Sequence, residues 1–218
     1  WHELEVTAED PERVAELLAH VRSGVYAAIL LAMLDVRTLP IEADIGDALV
    51  EFTNSGGALL VVSGEEALEP RPGGMVERER VSAMLRRLFS VTWKQRLTPD
   101  VVAISPAPTL SRAQIDDWFG DAEEPLWDGG LVGAMYESIA GCLVDVPADE
   151  QLLVGMPPRV SLEACWQRTV LAAVPVGSAG GRLALMTDLL HDGACARLTY
   201  ALCVRAGSAV AAKRDTEW

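Results

Sequence analysis

The sequence GGALLVVSG, residues 56–64, decides the fold. Between its glycines, residues 58–63 are a continuous run of apolar and small side chains, with no alternation of polar and apolar positions. A strand that is covered on both faces has this pattern, which is typical of parallel sheets. We therefore predict a buried strand over residues 58–63 that ends at Gly64.

The residues before this strand predict a strand–helix–strand unit. Residues 26–33, YAAILLAM, form a second continuous apolar run, and residues 40–52 predict a helix between the two strands. Repetition of such units with short connections builds a doubly wound sheet. Residues 9–21 predict an earlier helix, because acids and a proline precede apolar residues at helical spacing. This helix should follow a first strand, which is either the short stretch 4–6 or a segment before Trp1.

The rest of the chain is predicted to continue the same architecture. A helix is predicted over residues 76–89, strands over residues 101–105, 151–154, 169–174 and 180–186, a turn over residues 187–193, a closing helix over residues 194–204 and a tail over residues 205–218. Residues 116–130 are acidic and rich in Trp, Gly and Pro, which predicts a surface loop. The predicted fold is a single α/β domain over residues 1–218, flavodoxin-like, with a doubly wound, mostly parallel sheet and helices on both faces.

Charge and cysteine content limit the possible functions. The 218 residues include 18 basic and 32 acidic side chains, for a net charge of −14. This charge repels phosphate backbones and anionic lipid surfaces, so neither nucleic acid nor membrane is an expected partner. None of the four cysteines forms a CxxC pair or has a histidine at the spacing of a zinc site, so no metal is expected. Their apolar neighbours indicate buried free thiols and an intracellular, cytoplasmic setting.

The order of these elements resembles the class I glutamine-amidotransferase-like superfamily. The resemblance rests on GVYAAILL at residues 24–31, FTNSGGALLVVSG at residues 52–64 and GGRLALMTDLLHD at residues 180–192. It is closest to the non-catalytic branches, the ThuA-like proteins and the GIFT-type domains. In active members a nucleophilic cysteine follows the strand that corresponds to residues 59–63, and a histidine with an acid lies near the end of the domain. Here the elbow reads Ser63-Gly64-Glu65-Glu66, without a cysteine, so the resemblance implies a fold without glutaminase activity.

A substitute catalytic set is conceivable at the carboxyl ends of the strands. Ser63 follows one buried strand, and Asp188 and His191 follow another, so a Ser, His and Asp set could meet at one sheet edge. Glu65 is a further candidate, although adjacent acids such as Glu65 and Glu66 are more often solvated. The hydrolase motif GxSxG is absent, which argues against this set.

No cofactor is predicted. The glycines at residues 177–181 precede a strand, and no lysine follows them in the manner of a phosphate-binding loop.

Exposed aromatic residues supply the alternative to catalysis. Trp118, Phe119 and Trp127 fall in the predicted acidic loop, and tryptophan is a common anchor of protein interfaces. Trp93 is expected to cover an edge of the core instead. Two hypotheses follow: a non-catalytic interaction or scaffolding domain that holds a protein partner in a larger assembly, and a small-molecule hydrolase or a sugar- or nucleotide-handling enzyme. A filled carboxyl edge with an apolar surface elsewhere would favour the first, and an open pocket at that edge would favour the second.

Overall fold

The fold was analysed in a computed structural model, which describes residues 10–33, 43–63, 80–96, 101–118, 135–137, 142–156, 169–187 and Cys203. The described helices are α1 (Pro11–Arg22), α2 (Ala43–Asn54), α3 (Arg80–Phe89) and α4 (Arg112–Trp118). The described strands are β1 (Ala28–Met33), β2 (Ala58–Ser63), β3 (Lys94–Arg96), β4 (Val101–Pro106), β5 (Met135–Glu137), β6 (Cys142–Val144), β7 (Gln151–Met156), β8 (Thr169–Val176) and β9 (Gly181–Thr187).

The strands form one mixed sheet in the order β1-β2-β9-β8-β7-β4-β5. Strands β3 and β6 lie outside this order: β6 pairs with β8 and also with β3. The pairs β1–β2 and β2–β9 are parallel, and every other described pair is antiparallel. The predicted α/β class is confirmed, whereas the predicted parallel arrangement holds only for β1, β2 and β9.

A tight hairpin explains why the late strands are antiparallel. Strand β8 ends at Val176, which pairs with Gly181 at the beginning of β9. Only residues 177–180 connect them, and a parallel connection needs a dozen residues or more. The positive φ values of Gly177 and Gly180, 66° and 77°, form the turn without strain. The glycines predicted to lead into a strand do so, and they also reverse the chain.

Local sequence explains the ends of the early helices. The Asp10 carboxylate accepts a hydrogen bond from the backbone N–H of Arg13 at 3.1 Å, which caps α1. At the end of α2, the backbone N–H of Gly57 donates to the carbonyl oxygen of Phe52. Gly56, with φ of 99°, supplies the left-handed residue that this termination requires. The chain therefore passes from α2 directly into β2.

Alternate residues of the central strands bury apolar side chains on the two faces of the sheet. Leu60 and Val62 of β2 pack in the cluster that includes Ile115 of α4. Leu59 and Val61 pack in the cluster that contains the buried residues of α1, α2 and α3. We call these the α4 face and the α1–α3 face. This double coverage explains why every residue of β2 is buried and why its sequence does not alternate.

Candidate functional site

The carboxyl ends of β2 and β9 form the edge at which the sequence predicts a site. Ser63 and Thr187 are register partners on these adjacent parallel strands. The two strands that precede the other candidates therefore end side by side. Glu65, Asp188 and His191 themselves lie outside the described residues, as do most residues of the predicted turn 187–193 and closing helix 194–204.

Ser63 is buried within a hydrogen-bonded network. It has no exposed surface. The side-chain amide Nε2 of Gln95 donates to Ser63 Oγ at 3.1 Å, and the backbone N–H of Gln95 donates to Ser82 Oγ at 3.2 Å. An amide cannot accept the proton of a serine nucleophile as a histidine does. Among the described residues, Ser63 has the contacts of a structural hydroxyl.

The same edge contains most of the buried polar groups of the described chain. These buried polar side chains are Ser63, Ser82, Gln95, Thr169 and Thr187. The Thr187 hydroxyl donates to the carbonyl oxygen of Val170 at 3.4 Å, while the Thr169 hydroxyl has no hydrogen-bond partner among the described residues. Polar side chains at the carboxyl edge are thus buried within the described part of the chain.

Gln95 was not identified from the sequence. It lies in β3, which has only three residues and pairs with β6. The sequence shows no alternation there, because Lys94, Gln95 and Arg96 are all polar; only in the structure are Trp93 and Gln95 buried and Lys94 exposed. Such a pattern is too short to distinguish a strand from a loop.

Trp93 fixes β3 in position. Its ring is fully buried, and its indole Nε1 donates to Glu150 Oε2 at 2.6 Å. Burial raises the pKa of the Glu150 carboxyl, while the hydrogen bond from Trp93 acts in the opposite direction and the nearby Asp149 charge raises it further. The neighbouring Lys94 ammonium contacts the Asp145 carboxylate at 2.6 Å. Trp93 thus covers the core, as predicted, and through β3 it places Gln95 beside Ser63.

An apolar crevice lies at the opposite edge, at the amino ends of β1, β2 and β9. Its cavity volume is about 20 Å³, room for about one water molecule or one methyl group. Its walls include Ala28, Ala58, Leu152, Leu171, Trp118 and Arg182. It opens on the α4 face, because most of the lining core residues belong to that cluster.

Arg182 and Trp118 form the rim of this crevice. The Arg182 guanidinium lies 4.9 Å from the centre of the Trp118 ring, a cation–π distance. Arg182 also donates to the backbone oxygen of Asp117 at 2.9 Å and to Asp117 Oδ1 at 2.7 Å. These contacts attach the end of α4 to β9.

Trp118 therefore differs from the exposed loop residue that the sequence predicted. Residues 116–118 belong to α4, and Trp118 is half-buried against the core of the α4 face. Phe119, Trp127 and the remainder of the predicted loop, residues 119–130, lie outside the described residues. The tail over residues 205–218 lies outside them as well.

The described cysteines carry buried thiols. Cys142 and Cys203 are buried, and Cys203 lines the crevice. Burial raises the pKa of the Cys203 thiol to about 11, so that it stays protonated near neutral pH and is a poor nucleophile.

Metal-ligand clusters and membrane-spanning helices were sought in the described ranges alone. No group of three or more His, Cys, Asp or Glu there is arranged to hold a metal ion. None of the helices described is long and apolar enough to cross a membrane.

Comparison with known proteins gives no family assignment. No protein-family model matches the chain, and no curated protein matches it. The amidotransferase-like resemblance therefore stays a prediction.

Proposed function

We propose that this chain is a non-catalytic interaction domain that holds a protein partner within a larger assembly. The observation that carries the proposal is the state of Ser63. Its hydroxyl is completely buried and accepts a hydrogen bond from Gln95, at the edge where a substrate pocket of an α/β enzyme would open. A buried serine that is hydrogen-bonded to an amide is what we expect at this position of a binding domain.

The opposite edge supports the same proposal. There the apolar crevice opens beside the half-buried Trp118, and Arg182 orients the indole ring. A preorganised aromatic side chain loses little conformational freedom when a partner binds. Partner binding at this edge would leave the carboxyl edge unchanged.

We further propose a doubly wound, amidotransferase-like fold of the ThuA-like or GIFT-type branch and a cytoplasmic location. The parallel strands β1, β2 and β9, covered on both faces, support the fold. The sequence Ser63-Gly64-Glu65-Glu66 lacks the nucleophilic cysteine of active members. Buried cysteines such as Cys142 and Cys203 are consistent with a reducing compartment.

The second candidate is a small-molecule hydrolase or a sugar- or nucleotide-handling enzyme. One observation favours it: the described buried polar side chains collect at the carboxyl edge, and Ser63 and Thr187 lie next to each other there. In this case Ser63, Asp188 and His191 would form the reacting set, with Glu65 beside them.

One experiment separates the two candidates. The purified chain is incubated with a fluorophosphonate probe, which labels activated serines, and its intact mass is measured. We expect no adduct. A stoichiometric adduct that Ser63→Ala removes would establish the enzyme instead.

A second experiment tests partner binding directly. A protein that co-purifies with the chain is itself purified, and the two are recombined for calorimetry. We expect a defined stoichiometry and the same affinity for the wild type and Ser63→Ala. A co-purifying protein that does not bind when recombined would contradict the proposal.

A further inference from the structure

Three titratable side chains form a cluster where α1 ends and the chain turns toward β1. The Tyr26 hydroxyl lies 3.3 Å from His20 Nδ1, and His20 Nε2 lies 3.6 Å from Glu16 Oε1. Glu16 and His20 are neighbours on the surface of α1, one helical turn apart. A hydroxyl, an imidazole and a carboxylate in this order are the arrangement that activates an oxygen nucleophile. We call these three residues the Tyr26 cluster.

Local structure fixes the geometry of the Tyr26 cluster. The Ser23 hydroxyl donates to the backbone oxygen of His20 at 2.7 Å and accepts from the backbone N–H of Val25 at 3.3 Å. Gly24, with φ of 67°, allows the chain to turn sharply between them. The turn places the Tyr26 ring edge-on to the imidazole, with the ring centres 5.6 Å apart. The backbone therefore holds the phenol and the imidazole together.

The Glu16 carboxylate determines which nitrogen of His20 carries the proton. Glu16 Oε2 accepts from Arg13 Nη1 at 2.8 Å, and Oε1 faces His20 Nε2. Because a carboxylate only accepts hydrogen bonds, the neutral imidazole carries its proton on Nε2. Nδ1 is then the acceptor, and the Tyr26 hydroxyl donates to it. His20 is thus in the position of a general base toward the phenol oxygen.

Exposure and charge indicate the class of reagent that suits Tyr26. The His20 side chain is 33% exposed, and Tyr26 is half-buried, so a small reagent can reach the phenol oxygen. The net charge of −14 and the nearby Glu16 carboxylate repel phosphate esters. A neutral carbonyl compound meets no such repulsion. The favoured electrophile is therefore an acyl donor of the activated-ester class.

We infer that Tyr26 is an acyl acceptor whose phenol oxygen is activated by His20. The phenol oxygen attacks the carbonyl carbon of the donor and forms a new C–O bond. The bond from that carbon to the leaving oxygen breaks, and the leaving group keeps its electron pair. The phenol proton passes to His20 Nδ1, and Glu16 stabilises the imidazolium that forms. The product is an acylated tyrosine, at a site independent of the proposed binding function.

The probe is p-nitrophenyl acetate, a neutral ester whose nitrophenolate product is coloured. The competing groups are few, because the chain has three tyrosines and two lysines: Tyr26, Tyr136, Tyr200, Lys94 and Lys213. Peptide mass mapping over time gives the acetylation rate of each residue. Hydroxylamine removes the acetyl group from tyrosine but not from lysine. We expect Tyr26 to be acetylated at least about tenfold faster than the other two tyrosines.

Variants of the cluster assign the role of each residue. Tyr26→Phe should remove the fast acetylation. His20→Gln should slow it at least about tenfold, since a general base contributes a factor of this size or more. Glu16→Gln should slow it less, because His20 keeps its contact with the phenol. The matched control is Glu12→Gln, an exposed position one turn earlier on α1, which should leave the rate unchanged.

The outcomes decide this inference separately from the proposed function. Circular dichroism reports whether each variant, which changes a partly exposed side chain, keeps its fold. Equal acetylation of the three tyrosines, or an unchanged rate in a folded His20→Gln, would overturn the inference. A fluorophosphonate adduct on Ser63 would instead contradict the proposed function and leave this inference unaffected.

Discussion

Replacement of Ser63 by alanine distinguishes a structural hydroxyl from a catalytic one. The substitution removes the hydrogen bond from Gln95 at a fully buried position. The loss of one partner of a buried polar pair costs about 1–3 kcal/mol. We therefore expect the free energy of unfolding of Ser63→Ala to fall by about 1–2 kcal/mol.

This cost corresponds to a measurable shift in melting temperature. The entropy of unfolding is about 2.1 cal/mol/K per residue, which gives about 0.46 kcal/mol/K for 218 residues. The expected decrease in Tm is therefore about 2–4 °C. Scanning calorimetry measures Tm, and urea denaturation followed by tryptophan fluorescence measures the free energy of unfolding.

The control for this prediction is Ser178→Ala, an exposed serine in the β8–β9 turn. Its free energy of unfolding should change by less than about 0.5 kcal/mol. The sign of the Ser63→Ala effect is decisive, because removal of a strained active-site group commonly leaves a protein equally stable or more stable. An unchanged or increased stability of Ser63→Ala would refute the structural reading of this hydroxyl.

Three further predictions concern the supports of the fold. Trp93→Phe keeps a buried ring but removes the indole donor to Glu150, so urea denaturation should show a loss of about 1–3 kcal/mol. Burial raises the folded-state pKa of Glu150, so the stabilising contribution of the protonated carboxyl is present at low pH and is lost as pH rises through that pKa. The free energy of unfolding of the wild type relative to Glu150→Gln should therefore fall between pH 4 and pH 7. A rise over this range would contradict a raised pKa. Gly181→Ala would place a Cβ onto the carbonyl oxygen of Thr53, and calorimetry should show about 1–3 kcal/mol of destabilisation. An unchanged Tm would show that the backbone near Thr53 moves away from the new Cβ without loss of stability.

The sequence predicted the elements whose local signals and packing agree. The strand at residues 58–63 was placed at its observed ends, because burial on both faces requires an uninterrupted apolar run. The helix predicted at residues 9–21 was confirmed as α1, because Asp10 and the proline after it form the cap from local chemistry alone. Such features need no knowledge of distant residues.

The strands that the sequence did not predict depend on pairing between residues far apart in the chain. Strands β3, β5 and β6 have three residues each, too few for a periodic pattern. Their existence depends on partners such as β8, which pairs with β6 at Leu143 and Thr169. The antiparallel pairing of β8 with β9 was not predicted, because buried parallel and antiparallel strands have the same composition when helices cover both faces.

The candidate site was predicted only in its position along the chain. Ser63 lies at the end of its strand, as the apolar run indicated, but its hydrogen-bond donor is Gln95, 32 residues later. Trp118 was singled out as an aromatic residue in an acidic segment, but its stacking partner Arg182 comes from β9. Contacts of this kind arise from the tertiary fold, so the sequence alone does not determine them.

The most direct test of the central claim is hydrogen–deuterium exchange of the chain with and without its purified partner. We expect the partner to protect backbone amides of α4 and of the amino ends of β1 and β9, around the crevice. The amides that follow Ser63 and Thr187 at the carboxyl edge should exchange at the same rate in both states. Protection confined to the carboxyl edge would contradict a binding domain with a filled edge and would point to the enzyme alternative.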